Sequence, residues 1–192
     1  MRNMSNILWG LAKLSYTPSD DMLRALCDEI KVKAQEGVAQ NVANTLWALS
    51  TLRFVPDQAT LLQLANAVRT KVTDYTPQHI SNTILSFAKM EYSVDTDIVD
   101  SLGREALKKL DGFTAQALSN TLWGMSKLGI SDGLLFISIA MGANGKLSSF
   151  NAQNLANSVW AYGNLGINPG NDVLDNYAIH IVQKIDDFTD RK

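Results

Sequence analysis

The sequence predicts an all-α protein, a right-handed α-solenoid of about five helix-turn-helix repeats of 37–38 residues. Three observations carry this prediction. The phrase "QNVANTLWALSTL" (40–52) returns as "QALSNTLWGMSKL" (116–128) and "QNLANSVWAYGNL" (153–165). Its asparagine, here called the anchor, recurs at intervals of 38, 38, 38 and 37 residues, as Asn6, Asn44, Asn82, Asn120 and Asn157. An aromatic residue precedes three of the anchors by seven positions, as Tyr75, Phe113 and Phe150.

Each unit is predicted to contain an A helix, which carries the anchor, and a B helix that follows it. Thr76 and Pro77 are a typical N-cap and first helical residue, and Leu61, Leu64 and Val68 have helical spacing. The A helices are expected at 2–15, 38–53, 77–90, 114–128 and 151–165, and the B helices at 19–35, 57–73, 95–110, 131–147 and 171–186. The units are 1–36, 37–74, 75–112, 113–149 and 150–187, within one array over 1–192. Because the chain begins inside the phrase, we expect a fragment of a longer array.

Composition argues against several classes of protein. The net charge is −2, the isoelectric point is about 5.6, and no apolar run is long enough to span a bilayer. The single Cys27 excludes an internal disulfide, and His79, His180 and Cys27 lack the spacing of a metal site. No paired catalytic residues are apparent. We therefore expect no enzymatic activity, cofactor, metal, membrane association or small-molecule substrate.

One face of the A helix is apolar. With Asn44 as reference, Val42, Leu46 and Leu49 cluster on the opposite side and are predicted to pack on the B helix. The tryptophans at one flank of this face are predicted to be buried between units beside small residues: Trp9, Trp47, Trp123 and Trp160. Leu85 takes the tryptophan position in the third unit, which predicts a weaker contact there.

The opposite face of the A helix is polar and provides the candidate binding residues. Besides the anchors, it carries a glutamine four residues earlier (Gln40, Gln78, Gln116, Gln153) and a lysine seven residues later (Lys13, Lys89, Lys127). Four residues after the anchor a small residue offers a floor for a flat base. Amides can read base edges and lysines can neutralise phosphates, so a stacked array of these faces would suit single-stranded RNA. The position three residues before the anchor varies between units and is the candidate base-reading position: Asn3, Asn41, His79, Ala117 and Asn154.

The same pattern has structural explanations. Recurring Asn and Gln side chains can form a ladder that ties each unit to the next, and the lysines can be ordinary solvated positions. A protein-binding scaffold that uses the same surface for a peptide or partner helix is the alternative function. An exposed apolar groove would favour protein, whereas converging lysines and amides would favour RNA.

The period of 38 residues and the phrase Gln-x-Leu-(Ala/Ser)-Asn-Thr-Leu-Trp resemble the octotricopeptide repeats of algal organelle proteins. They also resemble the related arrays of FAST-kinase-like and RAP-domain proteins of mitochondria and plastids. The resemblance covers Arg2 to Phe188. It implies a solenoid, located in a mitochondrion or chloroplast, that binds organellar transcripts and acts in their processing, stability, editing or translation. The implied partners are single-stranded organellar RNA and other proteins of an RNA-processing complex.

Overall fold

The computed structural model describes residues 1–129 and 132–188, and in this part of the chain every regular element is a helix. The A helices are α1 (Arg2–Lys13), α3 (Ala39–Thr51), α5 (Pro77–Lys89), α7 (Ala115–Leu128) and α9 (Ala152–Leu165). The B helices are α2 (Asp20–Lys33), α4 (Gln58–Lys71), α6 (Thr96–Lys108), α8 (Gly133–Asn144) and α10 (Asn171–Gln183). The all-α repeat prediction is confirmed, and each described helix end lies within three residues of its predicted position. The predicted start of α8 at residue 131 lies outside the described residues.

Three of the A helices, α5, α7 and α9, begin at a side-chain cap that the sequence predicts. Thr76 accepts a hydrogen bond from the His79 N–H at 3.3 Å, and Pro77 occupies the first turn of α5. Thr114 and Asn151 cap α7 and α9 in the same way. A capped N-terminus satisfies backbone donors that have no partner within the helix, so these residues set where these three helices start.

The A helices end at a left-handed residue nine positions after the anchor. This conformation is adopted by Ser15, Arg53, Glu91, Gly129 and Gly166, with φ between 53° and 71°. Gly tolerates such a φ, whereas Ser, Arg and Glu adopt it at a cost because of their Cβ. The same backbone reversal therefore directs the chain into the B helix in every unit, whatever the side chain.

The helices form two layers, and the A layer is packed more closely than the B layer. Val42, Leu46 and Leu49 of α3 are fully buried, as predicted for the apolar face. Successive A helices pack against one another along the whole array, while successive B helices touch less extensively. Since the layer with the closer spacing lies at the inner radius of a curved stack, the A helices line the concave side.

Serine hydroxyls join neighbouring A helices. Ser5 donates to the Asn41 carbonyl at 3.0 Å, and Ser119 donates to the Asn154 carbonyl at 3.1 Å. Ser126 donates to the Ala161 carbonyl at 3.2 Å. These short side chains let the helix backbones approach closely, so the small residues of the phrase serve the packing between units.

Charged side chains join neighbouring B helices and the turns between units. Lys31 pairs with Asp57 at 3.4 Å, and at the equivalent position one unit later Arg69 pairs with Asp95 at 2.8 Å. Lys109 donates to the carbonyls of Thr73 and Tyr75 at 2.8 and 2.7 Å, in the turn that closes the preceding unit. Charge thus ties the units together on the side away from the concave surface.

Each described helix is too short or too polar to cross a lipid bilayer.

Candidate nucleic-acid interface

An open groove of about 820 Å³ runs across α1, α3, α5 and α7 on the concave side. Its lining includes anchors, glutamines, one lysine and two tryptophans: Asn44, Asn82, Asn120, Gln78, Gln116, Lys13, Trp9 and Trp47. A neighbouring recess is lined by Lys89, Tyr92, Trp123 and Lys127 among others. The structure therefore brings the predicted amides and lysines of different units onto one surface.

The anchor amides in the groove are not the rungs of a ladder. Across residues 1–129 and 132–188, the side chains of Asn44, Asn82 and Asn120 make no hydrogen bond to another protein group, although all three are half-buried. The bonds between A helices come from serines, and from Asn164, which donates to the Ser126 carbonyl and hydroxyl at 3.2 and 2.9 Å. These amides are consequently free to bond to a ligand or to water.

The remaining predicted amides have other surroundings. Gln153 donates to Asn157 at 2.8 Å within α9, so this pair satisfies itself in part. Asn6 and Gln40 are exposed on α1 and α3 and do not line the groove. The amide surface is thus most continuous in the second, third and fourth units.

The prediction that the tryptophans form a buried core is wrong for Trp9 and Trp160, which remain 42% and 41% exposed. Trp47 and Trp123 are half-buried, and Trp47 packs against the edge of the core. In the first four units the space between A helices is filled by the buried serine or alanine one residue before the anchor: Ser5, Ala43, Ser81 and Ser119. The rings turn instead toward the concave surface and form a row along it, called here the tryptophan row.

The lysines of the first and fourth units lie over the tryptophan row. Lys13 Nζ is 5.6 Å from the ring centroid of Trp9 and 5.2 Å from that of Trp47, in the next unit. Lys127 Nζ is 5.8 Å from the Trp123 centroid and 4.9 Å from the Trp160 centroid. All four distances fall within the range of cation–π attraction, so each ammonium group is held between two rings.

The candidate base-reading position is occupied by capping residues and does not face the groove as expected. Asn41 and Asn154 are only 9% and 5% exposed, and each accepts a hydrogen bond from the backbone N–H three residues earlier, at 3.3 and 3.2 Å. His79 Nδ1 accepts from the Thr76 N–H at 3.4 Å. Burial, with Lys109 nearby, lowers the pKa of His79, so its ring is neutral at pH 7. Asn3 is exposed, and Ala117 lines the groove without a polar atom in its side chain.

The small residue four positions after the anchor is not a floor for a base. Ala48, Ser86 and Ala161 are buried against neighbouring helices. A Cβ added to Gly124 would lie 2.6 Å from Ile84 Cγ2 and 3.2 Å from the Ile84 backbone. This position therefore permits close approach of successive A helices, whereas the anchors Asn44, Asn82 and Asn120 line the groove.

The A helices carry only positive charge. Their charged residues are Arg2, Lys13, Lys89 and Lys127, and all nineteen acidic residues of the chain lie outside them. A groove lined by these helices is electropositive even though the whole chain is acidic. The acidic isoelectric point reflects the B helices and turns, not the groove.

In a comparison with protein families, residues 10–131 match the Tbc2 translation factor, N-terminal domain. That span is more than half of the 192-residue chain. The chain belongs to this family. The part matched to the Tbc2 translation factor N-terminal domain runs from α1 to just beyond α7, so it contains the groove-lining helices α3, α5 and α7 completely. A comparison with curated proteins found no match.

The tryptophan row is the part of the site that the sequence interpretation missed. Two signals in the sequence could have located it. A lysine follows tryptophan by four residues in the first and fourth units, which places both on one helix face. The A helices also lack acidic residues, which marks them as the ligand-facing layer. Among the described residues, no group of three or more His, Cys, Asp or Glu could hold a metal ion.

Proposed function

We propose that this chain is a non-catalytic RNA-binding helical-repeat protein that acts in organellar gene expression. Its ligand is single-stranded RNA, held along the concave side of the A layer. Of the processes implied by the sequence resemblance, translation is favoured over processing, stability or editing, because the family to which the chain belongs is described as a translation factor domain. The location, a mitochondrion or chloroplast, rests on the resemblance to octotricopeptide-repeat and RAP-domain proteins.

The observation that carries the proposal is the chemistry of the groove. Unpaired amides of three successive units line it, and the helices that form it hold basic but no acidic residues. Amides can donate to and accept from base edges, and lysines attract phosphates. A peptide groove would need a continuous apolar lining, whereas Asn44, Asn82 and Asn120 divide the apolar residues of this groove.

The structure changes which residues are proposed to read bases. Gln78 and Gln116 are exposed at the groove, each on the first turn of its helix, and the anchors lie one turn further along. We assign base contacts to these two rows, and not to the capping residues Asn41, His79 and Asn154. Lys13, Lys89 and Lys127 remain the proposed phosphate contacts.

The test is equilibrium binding of a fluorescently labelled pool of random-sequence RNA 20-mers at several salt concentrations. Replacing Lys13, Lys89 and Lys127 together by Glu should weaken binding at least 100-fold at low salt. It should also reduce the slope of log affinity against log salt by about 2, since each phosphate contact on a single strand contributes roughly 0.7.

A control variant separates groove charge from total charge. Replacing Arg24, Lys71 and Arg104 by Glu makes the same change in net charge on α2, α4 and α6 of the B layer. This variant should retain most of the affinity and nearly the same salt slope. Equal losses in both triple variants, or no RNA binding by the wild type, would overturn the proposal. Crosslinking in the native organelle, followed by sequencing of the bound RNA, would then identify the transcript.

A further inference from the structure

The tryptophan row is interrupted once. Trp9 and Trp47 belong to the first two units, Trp123 and Trp160 belong to the last two, and Leu85 occupies the same position in the third unit. Lys13 lies between the rings of the first pair and Lys127 between those of the second. The surface therefore contains two sets, each of two indoles and one ammonium group, separated by an aliphatic residue. A direct contact between the two rings is seen in the second set, between Trp123 and Trp160.

The rings of the second pair are close to each other, and one ring of each pair is well exposed. The Trp123 and Trp160 centroids are 6.2 Å apart, with ring planes inclined by 36°. Trp9 and Trp160 keep about two fifths of their surface in solvent, although Lys13 and Lys127 lie against them. The exposed part of these indoles is the surface that a base can reach.

The charges around the rings decide which ligand suits them. Both pairs carry a lysine, and their helices carry no acidic residue. The first pair shares its groove with the amides of Asn44 and Asn82, and the recess beside Trp123 holds Lys89 and Lys127 against the one carboxylate of Glu91. A ligand that offers flat aromatic groups at regular intervals, with a negative charge between them, complements this arrangement. Single-stranded RNA has these properties, because its bases can stack on aromatic side chains while its phosphates meet basic ones.

We propose that each Trp–Lys–Trp set is a stacking platform for unpaired RNA bases, and that the strand crosses the Leu85 unit without stacking. The platforms bind bases of any identity, since every base has an aromatic face. Sequence preference is left to the amides. This inference rests on the proposed function and adds the mode of binding: two anchoring points at the ends of the groove with a reading segment between them.

The experiment compares two ligands of equal charge. One is the pool of random-sequence RNA 20-mers, and the other is an abasic ribose-phosphate 20-mer, which keeps the phosphates and lacks the bases. Wild-type protein should bind the RNA pool at least 100-fold more tightly than the abasic strand. Tryptophan fluorescence should be quenched by the RNA and unchanged by the abasic strand.

The chain supplies its own matched substitution. Trp47→Leu and Trp123→Leu each install the residue that the third unit carries naturally, so the fold should tolerate them. Each should weaken binding to the RNA pool about tenfold, within the range known for loss of one base–aromatic stack, and leave binding to the abasic strand unchanged. Leu85→Trp should do the reverse and strengthen binding to the pool by joining the two pairs. Circular dichroism and thermal unfolding would establish that all three variants are folded.

The outcomes separate this inference from the proposed function. If the wild type binds both ligands equally, or if the three tryptophan-row variants bind RNA as the wild type does, the rings do not stack bases, although RNA binding stands. If neither ligand binds, the proposed function fails as well. If an apolar peptide quenches the tryptophans and RNA does not, the row is a protein-docking surface and both proposals are wrong.

Discussion

The A and B layers of this solenoid come from the same repeat, but they differ in charge and in the interactions that join their helices. The A helices hold four basic and no acidic residues, and they are joined by serine-to-carbonyl hydrogen bonds at 3.0–3.2 Å. The B helices and turns hold all the acidic residues of the described part of the chain, and they are joined by ion pairs such as Arg69–Asp95. The comparison teaches that net charge is a poor guide to ligands when two layers divide the charge between them.

The division has a physical reason. A close approach of helix backbones leaves no room for long side chains, so the A layer is joined by serine hydroxyls and small residues. The B layer is spaced more widely and lies on the convex side, where exposed ion pairs can span the gap. Such pairs contribute little each, about 0–1 kcal/mol, so most of the stability must come from the core and the A layer.

The largest effect on the stability of the fold is expected from adding a methyl group between two A helices. Gly124→Ala in α7 places a Cβ against the Ile84 side chain and backbone, so it should destabilise the fold by about 1–2 kcal/mol after the gain in helix propensity is included. Gly103→Ala in α6 meets only the ends of Leu135 and Met125, which can move. It should change stability by no more than about 0.5 kcal/mol.

Gly10 provides a second control, because it lies at the same position of the repeat as Gly124. Gly10 has nothing within 4 Å of an added Cβ, so Gly10→Ala should stabilise the fold by about 0.5–1 kcal/mol. The measurement is the urea midpoint of each variant. Equal midpoints for Gly124→Ala and Gly103→Ala would mean that the A layer is not packed more tightly than the B layer.

A smaller effect on stability is expected at the left-handed residue that follows an A helix. Glu91 has a φ of 53° and shares the recess of Lys89, Trp123 and Lys127. Glu91→Gly should raise the free energy of unfolding by about 0.5–1 kcal/mol, because Gly adopts this conformation without a Cβ clash. Gly already occupies the equivalent position in the fourth and fifth units, as Gly129 and Gly166.

Glu91→Gln distinguishes backbone strain from charge. It keeps the Cβ and removes the carboxylate, so it should leave stability nearly unchanged. Both substitutions should increase affinity for the RNA pool by a similar factor, because both remove the negative charge beside Lys89. An increase in stability from Glu91→Gln equal to that from Glu91→Gly would show that the charge, and not the left-handed backbone, is unfavourable there.

The last effect concerns the B layer and depends on pH. Asp57 accepts hydrogen bonds from the Thr60 N–H at 2.6 Å and from Lys31 at 3.4 Å, and these bonds lower the pKa of its carboxyl below the ordinary 3.8. The stabilisation by the carboxylate is therefore complete above about pH 4 and is lost as the pH falls through the folded-state pKa. Asp57→Ala should cost about 1 kcal/mol at pH 7, as other lost N-caps do.

Asp57→Asn is the matched control, since Asn also caps helices but does not titrate. It should cost only a few tenths of a kcal/mol at pH 7, and its disadvantage should shrink as the pH falls below 3.8 and the carboxylate of the wild type is protonated. Urea midpoints at pH 7 and below pH 3.8 measure this. A difference between wild type and Asp57→Asn that grows on acidification would contradict the sign of the pKa shift.

The repeat, the helices and the caps could be predicted because they depend on local chemistry. The period of 38 residues, the Thr76-Pro77 start and the apolar face of α3 each act within one unit. The orientation of Trp47 could not, because it lies about 60° from the anchor, on the border between the polar and apolar arcs. The orientation of a residue at this border depends on the neighbouring unit, whose buried small residues occupy the space that an inward-facing ring would need.

The roles of the candidate site residues were predictable in part for the same reason. The anchors and glutamines of the second to fourth units do reach a common groove, apart from Gln40. Asn41 and Asn154 do not, because a polar side chain at the third helical position can bond back to the cap. The segments "TPQH" and "NAQN" carry that capping signal, and it competes with the base-reading interpretation of the same residues.

Leu85 has a consequence for how a strand would sit in the groove. A row of five identical rings would hold a single strand equally well in alignments that differ by one unit, and the strand could slide between them. With the aliphatic residue in the third unit, shifting the strand by one unit moves a stacked base onto Leu85 and leaves a ring empty. The interruption of the tryptophan row would thus fix the register of the bound strand. A chain of near-identical repeats would then distinguish one alignment of a transcript from the alignment shifted by one unit.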